Sequence, residues 1–131
     1  PVAMLIGDLA LLHDLGGLTS ARRLGVHLTA VCVDNDGGEI FSMLPIASHG
    51  ADVGFDRLFR TSHGVELAGL DGFAGVQVSI AESSGQLGLL VSDSMADDRP
   101  GVDLILVRFE PNADIDQHRR LAAAISEAAC G

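Results

Sequence analysis

The sequence predicts an α/β fold, a three-layer α/β/α arrangement built on a mostly parallel sheet. Two observations predict it. Four short apolar runs, "VAMLI" (2–6), "LTAVCV" (28–33), "VQVSI" (76–80) and "VDLILVRF" (102–109), have the length and composition of strands. Helix-compatible segments separate them, so the elements read β-α-β-α-β-α-β-α, and strands joined through helices lie parallel.

Each element has its own signal. "VAMLI" reads as a buried strand, and residues 9–24 carry a helical pattern interrupted at Gly16-Gly17. "LTAVCV" is β-branched and bounded by polar residues. "EIFSML" reads as a short helix stopped by Pro45, 46–54 as a loop, and "FDRLF" (55–59) as a helical turn. "VELAGLDGFAG" (65–75) reads as a helix weakened by glycine, and "VQVSI" alternates as a half-buried strand does. Ser83 followed by Gln86 is a capping box, and Leu87, Leu90, Val91 and Met95 form an apolar stripe read as core. "VDLILVRF" is the strongest strand. Asp114 and Gln117 repeat the capping pattern before a last helix whose apolar face is Leu121, Ala124, Ile125 and Ala128.

The composition bounds the chemistry. At 131 residues and 47% apolar, the chain is expected to fold as one domain with a core of aliphatic residues and five Phe, there being no Trp or Tyr. A net charge of −10 argues against a nucleic-acid partner, whose phosphates call for clustered Lys and Arg. Lysine is absent, which removes Schiff-base chemistry and a phosphate-loop lysine together. Cys32 inside a strand and Cys130 near the end fit a reducing, cytoplasmic setting better than a disulfide framework. No apolar run approaches the ~18 residues that span a bilayer. The first residues have no basic segment and enter a strand at once, which is expected of a piece of a longer protein.

In a parallel sheet, ligands gather at the carboxyl ends of the strands. Two acidic features fall there: Asp8 after the first strand, and "DNDGG" (34–38) after the second. If these strands are neighbours, their ends lie roughly 5 Å apart. A carboxylate, a carboxamide oxygen and a backbone carbonyl would then converge, three hard oxygens suited to Mg²⁺ with places left for phosphate and water. The plainer readings remain: Asp8 alone is a helix N-cap and "NDGG" alone is a turn.

"GD" at one strand end and "N" at the next resembles the thiamine-diphosphate fingerprint of enzymes that use that cofactor. The local wording is narrower. "IGDLALLHDLGGL", "VCVDNDGGEIFSMLP" and "FDRLFRTSHGVEL" resemble the carboxy-terminal domain of the 2-succinyl-5-enolpyruvyl-6-hydroxy-3-cyclohexene-1-carboxylate synthase family of menaquinone biosynthesis. The resemblance is carried by residues 4–67; beyond them it rests on the order of elements and the last helix.

The resemblance implies that residues 1–131 are a single cofactor-binding domain lacking its opening strand and helix. It implies Asp8, Asn35 and Gly37 as ligands of Mg²⁺ (or Mn²⁺), Gly37 through its carbonyl. Leu9 and Ala10 would approach the thiamine diphosphate through backbone N–H groups, and Ile40 and Phe41 would form an apolar wall beside cofactor and substrate. The intact enzyme would be a cytoplasmic homo-oligomer, dimer or tetramer. It would decarboxylate 2-oxoglutarate and add the succinyl carbanion equivalent to isochorismate. The activating Glu belongs to another domain, so no catalytic residue is expected here and the fragment alone should be inactive. Two positions depart from the family pattern: Asp34 stands where relatives have Asn, which adds negative charge beside the diphosphate, and Ser62 replaces a Pro.

Two other readings share these features. A different thiamine-diphosphate carboligase, acetolactate-synthase-like, would share the metal motif but not "GGEIF" followed by "LF-x-T-x-HG". A non-catalytic binding or subunit-contact module would keep only the turn. Among the histidines, His13 and His63 read as positional and His27, His49 and His118 as surface residues. Arg22-Arg23 and Arg119-Arg120 read as solvated helix faces.

Overall fold

The computed structural model describes residues 2–110 and 113–130, with the backbone alone at 113–116, 119 and 130. These divide into two compact units, one of residues 1–34 and 64–108, the other of residues 35–63 and 109–131.

The first unit is a parallel four-stranded sheet with its helices. Strand β1 (Val2–Gly7) leads into helices α1 (Asp8–His13) and α2 (Leu15–Arg23), then β2 (His27–Asp34). After the excursion of residues 35–63 come strand β3 (Val76–Ile80), helix α4 (Ser84–Ala96) and strand β4 (Gly101–Arg108). The sheet order is β1-β2-β4-β3, and every pairing is parallel. Val102, Leu104, Ile105 and Leu106 of β4 are all buried, because a central parallel strand is covered on both faces. Val102, Leu104 and Leu106 pack with Ala30 and Cys32 of β2, Leu11, Leu18, Leu67 and Val76 into one core.

The strands match the sequence reading closely, and the differences lie elsewhere. β1, expected to be buried, is a sheet edge whose Val2 and Leu5 are exposed. The break between α1 and α2 falls at Asp14, ahead of the glycine pair. Gly17 instead gives room for the Asp14 carboxylate, which a Cβ there would meet at 2.6 Å. Residues 65–75 form no α-helix. They make two 3₁₀ turns, Leu67–Leu70 and Phe73–Gly75, because Gly72 and Gly75 take positive φ values of 80° and 77° that a helix does not tolerate. The Asp71 carboxylate accepts the Val78 N–H at 3.0 Å, tying these turns to β3.

Helix α4 starts as expected. Ser83 Oγ accepts the Gln86 N–H at 3.2 Å, and Gln86 Oε1 accepts the Glu82 N–H at 2.9 Å. Its apolar stripe is only half-buried, and Ser94 is its one buried residue. His27, expected at the surface, is buried. Nδ1 lies 2.9 Å from the Arg99 carbonyl and Nε2 lies 2.8 Å from the Ser94 carbonyl. Asp103 stands 3.8 Å from Nε2, and Thr29 and Ser94 hydroxyls bond at 2.6 Å beside it.

The second unit is built from short turns: 3₁₀ turns Glu39–Met43 and Pro45–His49, a single helical turn α3 (Gly50–Val53) and a π-helical turn Asp56–Arg60. The stretch 46–54 is thus turned where a loop was expected. Leu44 is extended, as a residue before proline must be, and Pro45 opens the next turn. Phe59 stacks on Phe55 at 5.5 Å and takes Phe41 edge-on at 6.2 Å, which gives this unit an aromatic centre. The last helix, α5 (Ala113–Cys130), belongs to it, and Leu121, Ala124, Ile125 and Ala128 of its apolar face are exposed. The capping role read for Asp114 lies outside the described residues. His49 and His118 are exposed, as expected. Among the described residues no helix is long and apolar enough to cross a membrane.

Candidate functional site

In the sheet unit the two acidic strand ends are side by side. Gly7 of β1 is the register partner of Val33 of β2, so Asp8 and Asp34 are the next residues along two adjacent parallel strands. Their carboxylate oxygens lie within 4.8 Å of one another. Asp8 is the first residue of α1 and is buried, with Gly7 in the N-cap position. Its Oδ1 accepts the Leu9 N–H at 2.6 Å, so this backbone donor is already turned toward the Asp8 carboxylate. Ala10 follows on the exposed side of the same turn.

Cys32, two residues before Asp34, reports the local field. Burial first, and then the negative charges of Asp34 and Asp8, push its thiol from 9.0 up to about 12. It is a buried core thiol and no nucleophile at neutral pH.

Asp34 has a counter-charge that the sequence reading missed. Arg108, its register partner on β4, brings Nε to 3.5 Å from Asp34 Oδ2. The same guanidinium bonds Glu66 through its NH₂ group. Arg108 is visible in the sequence only as the end of the last strand. Its role follows from β4 lying next to β2.

In the second unit, residues 35–41 form a tight turn. Asp36 and Gly37 both have positive φ, 58° and 132°. The Gly37 carbonyl accepts the Glu39 N–H at 3.0 Å, and the Gly38 N–H donates to the Arg60 carbonyl at 2.6 Å. Asn35 is half-buried, while Gly37, Gly38 and Glu39 are buried. Ile40 is 65% exposed and Phe41 39% exposed, an apolar pair presented outward from a turn whose other residues are tucked in. His63 Nδ1 lies 3.7 Å from Asp36 Oδ1.

Two carboxylates close together at the sheet's carboxyl edge, followed in the chain by a carboxamide and a glycine carbonyl, are hard oxygen donors of the kind that suit Mg²⁺. A separate concavity of about 210 Å³ lies toward the amino ends of β3 and β4. Its Arg99 is already paired with Asp97 at 2.7 Å and with Asp103.

Comparison with known proteins agrees with this architecture. Benzoylformate decarboxylase from Polynucleobacter necessarius superposes with a TM-score of 0.69 at 16% identity, over 85% of this chain and 20% of that one. A thiamine diphosphate-dependent 4-hydroxybenzoylformate decarboxylase from Rhodococcus jostii RHA1 gives 0.61 at 16% identity, over 82% and 19%. The fold is therefore one shared with a domain of these two decarboxylases.

The sequence narrows the class. The chain is 42% identical over 123 residues to the 2-succinyl-5-enolpyruvyl-6-hydroxy-3-cyclohexene-1-carboxylate synthase of Myxococcus xanthus, covering 94% of this chain and 20% of that protein. Against the synthases of Halorubrum lacusprofundi and Bacillus velezensis it is 36% and 34% identical, over 99% and 95% of this chain. It belongs to that synthase family, and spans about a fifth of the length of the curated relatives it matches. No protein-family model matches it.

Proposed function

We propose that this chain is the diphosphate-binding domain of a synthase that decarboxylates 2-oxoglutarate and transfers the remaining four-carbon unit to isochorismate. In this reading Asp8, Asn35 and the Gly37 carbonyl would hold Mg²⁺ or Mn²⁺, beside which thiamine diphosphate would bind. Residues 1–131 make up one domain of the larger protein, which works as a cytoplasmic homo-oligomer. Most support comes from the adjacency of Asp8 and Asp34 on neighbouring parallel strands, in a chain whose wording matches the synthases throughout.

When bound, thiamine diphosphate supplies the electron sink for decarboxylation and carbon–carbon bond formation. This chain's residues bind and orient it. Asp8 brings one formal negative charge to the metal, and Asn35 and Gly37 bring neutral oxygens, so the metal keeps net positive charge for the diphosphate. Leu9 and Ala10 would border the phosphates through their backbone, with the Leu9 N–H held by Asp8 Oδ1. Ile40 and Phe41 exclude water from the face where the substrates react. With the proton-transferring Glu on another domain, residues 1–131 by themselves are inactive.

Thermal shift of the full-length protein with thiamine diphosphate and Mg²⁺ tests the reading. A ligand at a hundred times its Kd stabilises by about 2.7 kcal/mol, a readily seen rise in Tm. The expected result is a clear rise for the parent protein and little or none for Asn35→Ala. Equal rises in both would remove Asn35 from the site.

A further inference from the structure

In the second unit Arg60 holds the glycine turn by both backbone and side chain. The Arg60 carbonyl accepts the Gly38 N–H at 2.6 Å, and its Nε lies 2.7 Å from Oε1 of Glu39, the next residue. Glu39 has a fully buried side chain; neither of its carboxylate oxygens nor Arg60 Nε makes a hydrogen bond among the described residues, so the contact between them is an ion pair. A buried carboxylate with a single cation is held by little else, so its position and that of Arg60 are tied together. Packing removes the remaining freedom: a Cβ on Gly37 would sit 2.4 Å from the Arg60 carbonyl, and one on Gly38 would sit 2.8 Å from the Phe59 carbonyl. The π-helical turn fixes Arg60 in its place, because the Thr61 N–H reaches back to the Asp56 carbonyl at 2.7 Å.

The other side of this clamp is the Gly37 carbonyl. It accepts the Glu39 N–H at 3.0 Å, so the direction of the carbonyl follows from where the Glu39 backbone is anchored. We propose that Glu39 and Arg60 are a positioning pair that aims the Gly37 carbonyl and thereby sets the affinity and size preference of the metal site. The proposal rests on the reading of Gly37 as a metal ligand. Mg²⁺ demands near-ideal octahedral geometry at short distance, whereas Ca²⁺ tolerates longer and irregular contacts. A carbonyl released from its clamp therefore costs Mg²⁺ more than Ca²⁺. A pair serving only to hold the fold would lower stability and leave that ratio alone.

The test is calorimetric titration of Mg²⁺ and of Ca²⁺ into the full-length protein with saturating thiamine diphosphate, beside thermal unfolding without ligands. Glu39→Gln keeps the shape and loses the charge. Its expected effect is a fall of about tenfold in Mg²⁺ affinity with a smaller fall for Ca²⁺. Arg60→Lys keeps a cation but loses the guanidinium geometry, and carries the test if Glu39→Gln does not fold; the expected fall is about fivefold. Mg²⁺ affinity within twofold of the parent in whichever variant folds, or equal losses for the two ions, overturns the proposal. Asn35→Ala in the same titration separates the two levels. If Asn35→Ala also leaves Mg²⁺ affinity unchanged, the site assignment fails. If it weakens Mg²⁺ while Glu39→Gln and Arg60→Lys do not, the clamp alone fails.

Discussion

Arg108 Nε stands 3.5 Å from Asp34 Oδ2, and the two residues are register partners at the carboxyl ends of β4 and β2. The relationship explains how this chain carries a second carboxylate beside Asp8. Asp34 lies within 4.8 Å of Asp8, so without a counter-charge the two would repel each other and a bound diphosphate alike. The guanidinium offsets one of those charges.

From this follows a pair of affinities. The Arg108 side chain is 41% exposed, so the pair is worth at most about 1 kcal/mol, roughly a fivefold change in binding. Arg108→Gln in the full-length protein is expected to weaken thiamine diphosphate binding by about threefold to fivefold, and adding Asp34→Asn should restore it. Calorimetry of the single and double variants checks this. A double variant no better than Arg108→Gln alone would show that Asp34 is not the charge being balanced.

His27 is expected to be a major stabilising residue far from the proposed site. Its ring bridges the carbonyls at the end of α4 and before β4, and it fills a buried position at the start of β2. His27→Ala should cost about 2–4 kcal/mol through two lost hydrogen bonds and a cavity. Urea unfolding reads the difference, and a loss below about 1 kcal/mol would contradict a bridging role.

Cys32 gives a prediction on the alkaline side. Its folded thiol titrates near 12 against 9.0 ordinarily, so between these values the unfolded chain loses a proton that the folded chain keeps. Stability present below pH 9 is therefore lost progressively up to about pH 12, and Cys32→Ala should flatten that part of the profile. In a Cys130→Ser background, a disulfide reagent at pH 8 should react with Cys32 only at the rate of unfolding. Rapid reaction in the native protein would argue against its burial.

How much of this was legible depended on how far each residue's partners lie along the chain. β3 was read to the residue, and β2 and β4 within a residue at each end, because β-branched apolar runs between turn formers carry their own signal. That Asp8 stands beside the end of β2 was expected if the first two strands are neighbours, which they are. His27 was misplaced because its partners, Ser94, Arg99 and Asp103, are more than sixty positions away. Arg108 was missed because register decides its role, and Arg60 because its partner lies across a turn that no periodicity describes. Residues 65–75 misled for a local reason. Leu67 and Leu70 suit a helix face, and the positive φ of Gly72 is invisible until the chain is folded.

The order β1-β2-β4-β3 also governs when this chain can fold. β4 lies between β2 and β3 and is the last strand to be synthesised, so β3 has no neighbour and β2 only one until residues 101–108 have emerged. Pairings over such distances carry a loop-closure cost before any contact rewards them. β3 and one edge of β2 therefore stay unpaired until β4 emerges, a window in which chaperones and misassembly compete for them. The residue that balances Asp34, at the very end of β4, arrives when that window closes.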